Sequence, residues 1–198
     1  MAKIYLLSEQ TLKNNSILQD NVDMKVIMPT IYDVQNFYIL PILGTSLYND
    51  VLDKVANNTL TASYTTLLDD YITPTMIWYC RYELPMNMNY KYFNKSVGVQ
   101  NSDNMNPASL EELQMIMDRA KNKAEWYAER LSNYLLAFPD LFPLYLNQTD
   151  VNIATIFSNR TNYTSGLVLD DAYCCKGSNN FQDIPTARPE IRKNCTFC

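Results

Sequence analysis

From Ser109 to Leu136 the apolar residues Leu110, Leu113, Met117, Ala120, Ala124, Tyr127, Leu131 and Tyr134 recur three and four positions apart. That spacing draws one narrow seam along an α-helix, with charged residues from Glu111 to Arg130 on its other faces. Ser109 and Glu112 stand at capping-box spacing, where each side chain satisfies a backbone N–H at the helix start. Pro107 disfavours helix upstream of that point. At about 1.5 Å per residue the rod is roughly 40 Å long. The expected fold is mainly α, a helical bundle around this one long helix at 109–136. Such a seam more often faces a core than a partner.

Upstream, the same period recurs in shorter pieces. Ser8 can cap a short helix, and the Asn and Asp residues from Asn14 to Asp23 read as turns. Pro29 suits the first position of a helix through Leu40, with Ile31, Val34, Tyr38 and Ile39 inward. Pro41 and Gly44 then break the chain. Thr45 or Ser46 can cap a helix with Leu47, Val51, Leu52 and Val55 on its apolar face, ended by Asn57 and Asn58. Ser63 opens a further helix through Tyr64, Leu67, Leu68, Tyr71 and Ile72, with a kink or break expected at Pro74. The pattern resumes with Ile77, Trp78, Tyr82 and Leu84 and is expected to stop at Pro85. Trp78 and Trp126 are the largest core candidates.

Between residues 86 and 106 the period changes. NYKYFNKSVGVQN alternates about Gly98, which predicts a small β-hairpin or flap inserted between helices. Past Leu136 the periodicity collapses. FPDLFPLYLNQ is apolar but interrupted by Pro139 and Pro143, and a long Asn-, Thr- and Ser-rich tract follows. The expected organisation is a helical domain over 1–136 and an extended arm over 137–198. The arm has too many aromatics for an ordinary disordered tail and is long for a loop inside a domain. A poorly patterned β-subdomain is the competing reading.

Composition narrows the chemistry. The 198 residues carry a formal net charge of −5 and contain no histidine, the commonest general base and metal ligand. No Lys/Arg block suggests phosphate contacts, so sequence-specific nucleic-acid binding is not expected. The 4 glycines form neither GxGxxG nor a Walker loop. No cofactor and no catalytic residue is expected, and the chain does not read as an enzyme. MAKIYLLSEQ lacks the apolar core of a signal peptide, and no uncharged apolar run approaches the roughly 18 residues of a membrane span. The expected site of synthesis is a cytoplasm, with no membrane partner.

Among the 5 cysteines, Cys195 and Cys198 have zinc-knuckle spacing, and Cys174 with Cys175 are the residues that would complete four thiolates. Adjacent cysteines rarely share one metal, so this set is a weak metal candidate. A disulfide in the tail and free thiols are the other readings. Cys80 reads as a small buried apolar residue. Asp69 with Asp70, and Asp170 with Asp171, are adjacent pairs whose side chains diverge; they read as solvated faces.

TLKNNSILQDNVDMKVIMPTIYDVQNFYILPILGTSLYNDVL contains an NVD turn at Asn21–Asp23, a helix carrying Gln35, and PILG-x-x-LY at Pro41–Tyr48. NKSVGVQNSDNMNPASLEELQ, followed by KAEWYAERLSNYL, joins a flap, a Pro-Ala-Ser cap and a helix reading Ala-Glu-x-Tyr-Ala-Glu-Arg-Leu. With these motifs, residues 4–136 resemble the head–tail connector (adaptor, or neck ring) proteins of tailed bacteriophages, of the type found in crAss-like and other Bacteroidetes phages. The remaining residues match no pattern of that family. The resemblance implies a structural virion protein, assembled as a homo-oligomeric ring of twelve copies beneath the portal protein. Such a ring extends the DNA channel, lets DNA pass without reading its sequence, and docks the next neck or tail component. It implies a location at the head–tail interface of the virion, after assembly in the host cytoplasm.

On that reading the arm reaches the portal or an adjacent subunit through Phe138, Phe142 and Tyr145, and a chain ended at Ala137 keeps a folded helical domain. The flap meets a ring neighbour or the channel through Tyr90, Tyr92, Val97 and Val99. The alternative within the same assembly is a tail-completion or stopper ring lower in the neck; only the adaptor is expected to bind isolated portal. A metal-dependent hydrolase needs a ligand cluster that the sequence does not offer. A nucleic-acid-binding regulator needs a basic recognition helix.

Overall fold

Ser8 accepts the Thr11 N–H at 3.0 Å and starts α1 (Glu9–Asn14), and Asp23 accepts the Lys25 N–H at 2.9 Å to start α2 (Met24–Val34). The computed structural model describes residues 3–92, 94–99, 108–147 and 155–158, all within one compact unit spanning Met1–Asn162. The elements that follow are a π-helical turn (Gln35–Ile39), α3 (Leu40–Leu43), α4 (Thr45–Ala56), α5 (Ala62–Thr66), a second π-helical turn (Leu67–Ile72) and α6 (Thr73–Asn89). Then come the antiparallel strands β1 (Tyr90–Tyr92) and β2 (Val97–Val99), α7 (Leu110–Ala137) and α8 (Pro143–Leu146). Among the described residues the protein is mainly α with one small hairpin, as the sequence predicts.

The prolines behave differently from expectation. Pro29 is not the first residue of its helix but lies inside α2. It sits on the exposed side, as does Lys25 one turn before it, so the carbonyl that proline leaves unbonded need not be buried. Pro41 and Pro74 do not break their helices either. Each follows a π-helical turn, and the residue before each proline bonds five residues back: Leu40 N–H to Gln35 O, and Thr73 N–H to Leu68 O. The wider turn draws the backbone away from the pyrrolidine ring, which otherwise clashes with the carbonyl four residues back. The break expected at Gly44 is there, with a φ of 77° that suits glycine, and this residue rather than Thr45 or Ser46 is the N-cap of α4. Pro85 also lies inside its helix, and α6 runs on to Asn89.

α6 is the central helix, packed on α2 along one side and on α7 along another. Thr75, Met76, Tyr79, Cys80 and Leu84 of α6 are buried among Ile27, Ile31, Leu131 and Leu135. On α7 the buried Ala120, Ala124 and Ala128 let the helices approach closely. The capping box is formed, with Ser109 N–H to Glu112 at 2.9 Å and Glu112 N–H to Ser109 Oγ at 3.2 Å. The predicted seam holds from Leu113 to Tyr134, but Leu110 is exposed because it precedes the stretch that meets α6. Trp126 is 58% exposed and is not a core residue, and Trp78 is half-buried. Trp126 sits two positions past the seam residue Ala124, and so on the outer side of α7.

Met24–Leu43 is long and apolar enough, by length and composition alone, to cross a membrane. Here Ile27, Ile31, Val34, Ile39 and Leu43 of that stretch are fully buried in the core of the protein itself. The chain does not leave that core at Ala137. Phe142 and Tyr145 are fully buried, and Phe142 meets the rings of Tyr64 at 5.4 Å and Tyr134 at 5.8 Å. Thr45 N–H donates to Ile156 O at 2.9 Å, and Ile156 N–H to Thr45 Oγ1 at 2.8 Å. The helical domain therefore includes residues placed in the expected arm. The rest of that arm, residues 148–154 and 159–198, lies outside the described residues.

Candidate interaction surfaces

The hairpin continues directly from the end of α6. Its register pairs Tyr90 with Val99, Lys91 with Gly98 and Tyr92 with Val97. Strand alternation puts Lys91 on one face and Tyr90 with Val97 on the other. Val97 is exposed and Tyr90 half-buried, while Asn94, Lys95 and Ser96 of the connecting turn are exposed. Tyr92 and Val99 are placed by their backbone. The flap is shorter than expected, because α6 takes residues 86–89; residues 100–107 lie outside the described residues.

An open groove of about 670 Å³ lies between α6 and α7, with Ile17 and Leu18 from the segment after α1 also lining it. Its floor is apolar, with Trp78, Leu84 and Met88 from α6 and Leu113, Ile116 and Ala120 from α7. Arg81, Arg119 and Lys123 stand over this floor. Two cations stand over Trp78, with the Arg81 guanidinium 4.1 Å and Lys123 Nζ 4.4 Å from the ring centroid. The ion pairs among the described residues are Lys13–Glu9, Lys54–Asp50 and Lys121–Glu125, so none involves these cations. Burial and the nearby Arg119 both press the pKa of Arg81 down. A positive, aromatic recess in a chain of net charge −5 is suited to a carboxylate beside apolar side chains.

The sequence reading missed this groove. Its signal was present as Trp78 and Arg81 three apart and Arg119 and Lys123 four apart. Only the packing of α6 on α7 brings the two pairs together.

The other end of α7 presents a second patch. Leu136, Phe138 and Leu141 are exposed around the exposed Asp140, and Phe138 leans on Tyr134 at 5.1 Å. Of the three arm aromatics expected to reach a partner, only Phe138 is at the surface; Phe142 and Tyr145 hold their own segment on the core instead. Cys80 is buried, and desolvation, with Glu83 nearby, pushes its thiol well up from the usual range. Among the described residues no group of three or more Cys, Asp or Glu side chains is placed to hold a metal. Cys174, Cys175, Cys195 and Cys198 lie outside the described residues.

These features define a helical protein with a capped long helix, a hairpin and surface patches of opposite character. Residues 39–155 match the model of a family described as "Family of unknown function (DUF6712)", and the chain belongs to that family. The matched stretch takes in the hairpin, the α6 and α7 walls of the groove and the exposed end of α7. Neither the curated proteins nor the solved structures include a match to this chain.

Proposed function

We propose that this protein is a subunit of the head-to-tail connector of a tailed bacteriophage, forming a ring beneath the portal that extends the DNA channel and docks the next neck component. The observation that carries the reading is the surface of α7. One stripe of this 28-residue helix seals the core, while Leu110, Met115, Ile116 and Trp126 remain exposed along it. A capped helix with large apolar side chains outside its own core suits a subunit that meets neighbours. The resemblance of residues 4–136 to phage connectors supplies the kind of assembly.

The ring partners on this reading are other copies, the portal and a further neck protein, and DNA passes through without base recognition. The test is light scattering and negative-stain imaging of the protein mixed with the portal of the same phage, beside each component alone. A ring of this protein stacked on the portal is the expected result. No complex with portal overturns the adaptor assignment.

A further inference from the structure

We infer that the groove between α6 and α7 receives the Phe138–Leu141 corner of a second copy of this chain. The two surfaces are complementary in chemistry. The groove offers an apolar floor under Arg81, Arg119 and Lys123, none of which forms an ion pair among the described residues. The corner offers Phe138 and Leu141, exposed by 47% and 45%, on either side of Pro139 and Asp140. α7 has no basic residue in its last turn, so the partial negative charge of its carbonyl end adds to that of Asp140. Apolar side chains beside negative charge fit an apolar floor beneath positive charge.

The two surfaces cannot serve one molecule. Ala120 in the groove and Ala137 at the corner stand on one straight helix, about 25 Å apart at about 1.5 Å per residue. Where the contact is not returned by the same partner it is heterologous, and repeating it generates a closed ring or an open filament. The inference deepens the connector reading, and rests on it for the closure of copies into a ring.

The experiment replaces Phe138 with the photoreactive p-benzoylphenylalanine in the full chain. Isotopically light and heavy chains are mixed, then irradiated both at high concentration and on the portal. Cross-links between light and heavy chains are expected from position 138 to Trp78, Met88 or Ile116. Arg119 and Lys123 are exposed, so R119E/K123E is expected to fold and to lower that yield about tenfold; D140K does the same. A chain carrying R119E, K123E and D140K together recovers the cross-link, because the charges are exchanged rather than lost.

Cross-links between copies that map elsewhere overturn the inference. So does a triple variant that fails to recover, or duplex DNA retained by the native chain and released by R119E/K123E. A stacked ring whose cross-links avoid the groove removes this contact and leaves the connector reading standing. Groove cross-links without portal binding do the reverse.

Discussion

Gln35 does with one side chain what a neighbouring strand does with its backbone. Its Oε1 accepts the Leu6 N–H at 3.0 Å, and its Nε2 donates to Ile4 O at 3.1 Å and to Tyr48 Oη at 2.8 Å. The extended residues before α1 are thereby fastened to the first π-helical turn. Gln35→Ala leaves these backbone groups unpaired and is expected to cost about 2–4 kcal/mol in urea unfolding. Gln35→Glu keeps the acceptor for Leu6 but sets a buried carboxylate against Ile4 O, and at neutral pH is expected to cost at least as much as Gln35→Ala. Tyrosines set the alkaline limit. Burial first, then the hydrogen bonds to Glu83 and Asp50, raise the phenols of Tyr38 and Tyr64; burial and Glu125 push Tyr79 up to about 12. The unfolded chain releases these protons near the ordinary value of 10.0, while the folded chain keeps them. Their contribution is whole below about pH 10 and is lost as the pH rises toward the folded values. Urea midpoints measured against pH are expected to fall from about pH 10, and less steeply in Tyr38→Phe and Tyr64→Phe.

At the scale of elements, α7 depends on its start. Ser109→Ala removes one half of the capping box and is expected to lower stability by about 1 kcal/mol, read from thermal or urea unfolding. This helix was legible because a one-sided helix writes its burial as a period. α6 was only partly legible, because it packs on both α2 and α7, and its buried residues, from Thr75 and Tyr79 through Met76 and Cys80 to Leu84 and Ile77, cover about half of the helix circumference instead of one narrow stripe. Alternation about Gly98 revealed the hairpin. The prolines misled at Pro29, Pro41 and Pro85, since nothing local announces a π-helical turn or an exposed carbonyl. Side-chain size misled as well: Trp126 lies outside the core, whereas Phe142 and Tyr145, in a stretch without periodicity, lie within it. The groove needed tertiary packing to exist at all.

For the whole molecule, the question is where the folded unit ends. A chain ended at Ala137 loses the buried Phe142 and Tyr145 and uncovers the rings of Tyr64 and Tyr134. Removing one buried Phe side chain alone costs about 3–5 kcal/mol. The truncated chain is therefore expected to lose near-UV circular dichroism and a sharp urea transition, contrary to the expectation from sequence. A chain ended at Asn162, where the compact unit ends, is expected to keep both. The bonds between Thr45 and Ile156 have a consequence in time. They join residues 111 positions apart, so a ribosome has already made the hairpin and the whole of α7 before the start of α4 can be closed. Until then an early helix waits on a late residue. A nascent copy remains unfinished at that joint until Ile156 has been made.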